Sequence, residues 1–82
     1  MNSSQYTNSS FEVTPMGYEY INNLSFILKR EIVPPHLQVM KYLTDQKRGV
    51  FYSELAEKKF PELNESLDWL KNRRAIKEPN GG

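Results

Sequence analysis

Four cations crowd one short stretch of this chain, Lys71, Arg73, Arg74 and Lys77 of KNRRAIK, and Lys58 and Lys59 lie further upstream. Such side chains do one kind of chemistry well: they neutralise phosphate oxygens, arginine as a planar two-point fork and lysine as a point charge. They also have a plain structural use. Cations near a helix C-terminus complement the helix dipole by about 0.3–1 kcal/mol each. Glu62, Glu65 and Asp68, near the start of the same stretch, complement the opposite end and would repel a polyanion. The order of signs therefore favours the helix before it favours any ligand.

Other chemistries find little support. There is no cysteine, hence no disulfide framework and no thiolate site. His36 is the only histidine and has no cysteine partners, so no metal site is expected. After two prolines it reads as an exposed first-turn residue. Carboxylates are plentiful, but none is paired within an inferable apolar pocket, and no phosphate-binding glycine loop or nucleophile elbow is present. Neither catalysis nor a cofactor is expected. Trp69 reads in two ways, as an anchor for a protein partner or as a core-edge residue packed on the N-terminal segment. The tyrosines (Tyr6, Tyr18, Tyr20, Tyr42, Tyr52) are scattered and form no stacking platform for single-stranded nucleic acid.

The elements that must position these groups fit one small domain, since the chain has 82 residues. No apolar run approaches the roughly 18–20 residues that cross a bilayer, and the N-terminus lacks the basic start and apolar block of a secretory signal. A soluble, cytoplasmic protein without membrane contact is expected. The formal charge is +1, with −1 up to Val33 and +2 from Pro34 onward. That imbalance is too small to select a polyanion by itself.

Residues 1–13 begin with MNSSQYTNSS and read as a disordered tail. Residues 14–33 form an amphipathic segment with two readings. As a helix, Thr14 caps, Pro15 takes the first helical position, and Tyr20, Leu24, Ile27 and Leu28 form one apolar stripe. As strands, Tyr18/Tyr20 and Leu24/Phe26/Leu28 alternate on either side of an Asn22-Asn23 turn. The helix is favoured for its Thr-Pro start.

Residues 34–78 form the core. Pro35 opens a helix burying Leu37, Met40 and Leu43, which Lys47-Arg48-Gly49 ends with Gly49 in the left-handed conformation. Val50-Phe51-Tyr52 is a short strand, and Ser53 caps a helix that turns Leu55, Ala56 and Phe60 inward. A last helix carries Leu63, Leu67 and Leu70 and leaves through an extended Ala75-Ile76-Lys77. Residues 79–82 read as a disordered end.

The order helix, strand, helix, turn, helix, strand over residues 35–77 resembles the winged helix-turn-helix superfamily. LQVMKYLTDQ looks like its first helix, GVFYSELAEKKF like the strand leading to the second, and PELNESLDWLKNRRAI like the third helix with its exit. The resemblance implies a mainly α fold: a three-helix winged helix-turn-helix core with minimal β structure, plus the N-terminal amphipathic helix. The wing reads as truncated, because little chain follows Ile76. Arg73-Arg74-Ala75 stands where such domains often place glycine, so arginine there must avoid positive φ or accept strain.

By resemblance the third helix enters the major groove of double-stranded DNA, with Glu62, Asn64, Glu65, Ser66 and Asp68 outward. Asn64 and Ser66 would meet the duplex, and Lys58, Lys59, Lys71, Arg73, Arg74 and Lys77 would hold phosphates. The implied function is a small DNA-binding regulator, a homodimer joined through Tyr20, Leu24, Ile27 and Leu28. The alternative is a protein-interaction module on the same scaffold, with Trp69 and the 20–28 stripe as its contact surface.

Overall fold

The computed structural model describes residues 6–29 and 33–79. The expected tail is not a tail over its described part. Tyr6 and Phe11 are core residues at 2% and 0% exposure, and Ser10–Val13 forms strand β1. Two aromatic side chains in an otherwise polar stretch suffice to bury it, since each removes a large apolar area from water.

Thr14 then caps helix α1 (Pro15–Asn23), its hydroxyl accepting from the Gly17 N–H at 3.0 Å. The helical reading of this segment holds, but not as one helix. The chain breaks after Asn22-Asn23, two poor helix formers, at Leu24 (φ −109°, ψ 16°), and a single turn, α2 (Ser25–Leu28), follows. Arg30, Glu31 and Ile32 of the expected segment lie outside the described residues.

Helix α3 (Pro35–Gln46) opens on Pro35 and buries Leu37, Val39, Met40 and Leu43. It ends on Lys47, not Gly49: Lys47 takes the left-handed conformation (φ 55°), and no described glycine has positive φ. Strand β2 (Val50–Phe51) runs directly into helix α4 (Tyr52–Glu57), so Ser53 lies inside that helix and caps nothing. Leu55 is buried and Phe60 packs against the core, whereas Ala56 is exposed. Tyr42 joins the two helices through an edge-on contact with Phe60 at 5.6 Å and a hydroxyl bond to Glu54.

After a turn in which Lys59 and Glu62 have positive φ, helix α5 (Leu63–Asn72) buries Leu67 and Leu70 against α3. Strand β3 (Ile76–Lys77) is its extended exit. The strands form one antiparallel sheet in the order β2-β1-β3. Phe11 pairs with Val50 and Val13 with Ile76, which puts apolar pairs on the inner face. Ser10–Phe51 and Glu12–Lys77 are the alternate pairs. The result is a small α-rich domain with a three-stranded antiparallel sheet. Its exit strand is partnered from the N-terminal side, by β1, and needs no returning wing strand. No described helix is long and apolar enough to cross a membrane.

Candidate functional site

Helix α5 carries most of the residues singled out by sequence, and its neighbours decide which of them face solvent. Leu67, Leu70 and Ser66 form its buried side. Ser66 is only 4% exposed, so it does not point outward as expected, because the α3 contact claims that face of the helix.

A second stripe, Asn64, Asp68 and Lys71, is engaged by side chains from the approach to β1, from α4 and from the chain after β3. The Tyr52 hydroxyl donates to Asn64 Oδ1 at 2.8 Å, and the Tyr6 hydroxyl donates to Asp68. The Lys71 ammonium lies 5.0 Å from the Tyr6 ring centroid and donates to Glu78 Oε1 at 2.6 Å. Glu78 also accepts from the Ser9 hydroxyl. Hydrogen bonding to Lys71, then to Ser9, holds the Glu78 carboxyl below its ordinary range, and the same bond raises the Lys71 pKa. Lys71 is thus committed within the chain. Lys77 is committed less tightly, at 3.6 Å from Glu12 across the β1–β3 pair.

Of the expected phosphate-binding set, Lys77 is exposed but paired with Glu12, and Lys58, Lys59, Arg73 and Arg74 are exposed with no ion pair among the described residues. They fall into two groups at opposite ends of α5, which at ten residues is about 15 Å long. Lys58 leans over the Tyr42 ring at 5.6 Å. Arg74 accepts the strain that its position invited, with φ 60°. Between the two groups the exposed helix surface carries Glu65 and Asp68.

The third stripe is the one that the sequence did not assemble. Trp69 is half-buried, and three groups from separate parts of the chain converge on it. Tyr20 of α1 lies 6.1 Å from it between ring centroids, and His36 of α3 lies 4.1 Å away at an interplanar angle of 38°. The Arg73 guanidinium sits 4.1 Å from the indole centroid. The core-edge reading of Trp69 is therefore realised, while His36 is not the exposed residue expected, because the indole covers it. Burial first, and the Arg73 charge second, lower the His36 pKa. Burial raises that of Tyr20, and Arg73 partly opposes the rise.

Beside Trp69 lies a cleft of about 140 Å³ lined by Pro35, His36, Glu62, Glu65 and Ser66. Only Trp69 and Arg73, four apart in sequence, announce any of this cluster; the other members meet through the tertiary fold alone.

The stripe expected to join two copies is mostly used within the chain. Tyr20, Leu24 and Ile27 pack against the core, and the Leu28 side chain is outside those described. Met16 and Phe26 are the more exposed apolar groups of this region, at 59% and 58%. No described group of three or more histidine, cysteine or acidic residues could hold a metal ion. No protein family, curated protein or solved structure matches the chain.

Proposed function

We infer that this protein is a protein-interaction module whose contact surface is centred on Trp69, at the junction of α1, α3 and α5. The observation that carries this reading is the indole itself. It stays partly exposed at the edge of the core although Tyr20, His36 and Arg73 hold it in one orientation. Pre-oriented, partly buried tryptophan beside arginine is the composition of interface hot spots, because little side-chain entropy remains to be lost on binding. The surroundings support the same reading. The outward surface of α5 is acidic at Glu65 and Asp68, and Lys71 is neutralised by Glu78. A helix so arranged is a poor match for the phosphate-lined major groove.

A second reading, a DNA-binding winged-helix regulator, keeps one observation in its favour: Arg73 and Arg74 stand exposed together at the end of α5. One experiment separates the two. Labelled protein is titrated with a short mixed-sequence duplex at low and then higher salt, while native and Trp69→Ala chains, each checked for a folded amide spectrum, are compared in capturing partners from cell extract. The interaction reading expects a silent titration and a partner lost with the indole. Salt-sensitive shifts at Asn64, Arg73 and Arg74, with the same proteins captured by both chains, overturn it in favour of DNA.

A further inference from the structure

We propose that the cleft between the first turns of α3 and α5 receives the cationic side chain, lysine or arginine, of a protein partner. This rests on the interaction reading above and names what the partner brings. The cleft has one apolar wall, Trp69, His36 and Pro35, and two carboxylates, Glu62 and Glu65. It is small, about 140 Å³ with six lining residues, the scale of one long side chain rather than of a docked helix. Such a side chain would lay its methylene stem along the apolar wall and bring its charged head to the carboxylates, as amphipathic cations do on protein surfaces.

Two features mark the cleft as more than an acidic patch. Glu62 and Glu65 pair with no cation among the described residues, as Glu19 and Glu57 also do not, and what sets them apart is the apolar wall of Trp69, His36 and Pro35 beside them. Ser66, 96% buried as a residue, lines the cleft, and its hydroxyl has no hydrogen-bond partner among the described residues. Its hydroxyl thus adds an acceptor to the cleft lining for an ammonium or guanidinium. The starts of α3 and α5 each contribute about half a positive charge, which the two carboxylates outweigh. Arg73 stacks on the indole and does not line the cleft.

The test pans a random linear peptide library on the immobilised native chain and measures selected peptides by calorimetry. Glu62 and Glu65 are exposed and pair with no described cation, so the Glu62→Gln/Glu65→Gln variant keeps the fold, which its amide spectrum verifies. The expected result is peptides sharing one lysine or arginine. Replacing that residue with norleucine, or using the double variant, weakens binding about five- to tenfold, and the two losses do not add. Peptides that need Trp69, yet share no cation and bind the double variant equally, overturn the cation subsite and leave the interaction reading standing. Absence of binders, or binders indifferent to Trp69→Ala, removes both. Self-association abolished by the double variant would make the occupant a second copy and overturn the proposed partner. A DNA duplex that shifts the Glu65, Ser66 and Trp69 amides overturns it as well.

Discussion

His36 sits 4.1 Å from an indole and within the field of a guanidinium, and both surroundings act on its proton in one direction. Burial disfavours the imidazolium, and Arg73 repels it, so the folded-state pKa lies below the ordinary 6.5. The unfolded chain binds this proton more readily, so the contribution to stability is complete above pH 6.5 and is lost as pH falls through the lower folded value. Because the chain has one histidine, its ring resonances report the titration without ambiguity. We expect a pKa below 6.5 in the native protein and a partial return toward it in Arg73→Ala. An unmoved value in that variant would remove the guanidinium from the indole cluster. Glu78 obeys the same sign at lower pH. Lys71 and Ser9 stabilise its carboxylate, so its contribution is present above the ordinary 4.5 and disappears on acidification through the depressed value. Glu78→Gln should therefore lower stability at neutral pH and flatten the acid limb of a stability–pH curve. A variant with the native acid limb would assign that limb to other carboxylates.

Between helices and strands, left-handed conformations and glycines have been assigned to different positions. Lys47, Lys59, Glu62 and Arg74 hold positive φ at element junctions, while the described glycines do not. Gly17 is used for closeness instead. A Cβ there would lie 2.0 Å from the Ala75 carbonyl oxygen, because Thr14 draws α1 onto the α5–β3 corner through bonds to the Arg74 and Ala75 carbonyls at 2.6 and 3.1 Å. Two substitutions of opposite sign follow, both read by urea denaturation. Gly17→Ala should cost about 1–3 kcal/mol or more by overpacking against backbone. Arg74→Gly should gain up to about 1 kcal/mol by relieving the left-handed strain, and a loss would mean that the arginine side chain contributes more than its backbone costs. These junctions also mark the limit of what was legible in the sequence. The Thr14-Pro15 start, the Pro35 start and the burial of Leu37, Met40, Leu43, Leu67 and Leu70 follow from local chemistry and periodicity, and the structure contains them. The C-terminal end of α3 and the start of α4 do not, because the corner geometry is set by packing, which overrides the preference of Gly49 and Ser53 for terminal positions.

For the molecule as a whole, the least expected feature is that its sheet is centred on what reads as a disposable tail. Composition hid β1, since four residues supply too short an alternation to stand out, and the pairing partners lie 39 to 65 positions away. The candidate site was hidden for the same reason: Tyr20, His36 and Trp69 meet only once α1, α3 and α5 are packed. The consequence for stability is direct. β1 lies between β2 and β3, which do not pair with each other, so each two-residue strand depends on it for its ladder. Phe11 and Tyr6 supply core side chains from the same segment, and Tyr6 and Ser9 also bond Asp68 and Glu78. A domain this small has a margin of only about 5–10 kcal/mol. Loss of one fully buried phenylalanine alone costs about 3–5 kcal/mol. A chain beginning at Thr14 should therefore show no cooperative unfolding transition and poorly dispersed amide resonances, and Phe11→Ala in the full chain should reproduce much of that loss. A truncated chain that kept dispersed resonances and a sharp transition would show that the helices close their core without the sheet, and the N-terminal residues would then have to be present for their contacts with Asp68, Lys71 and Glu78.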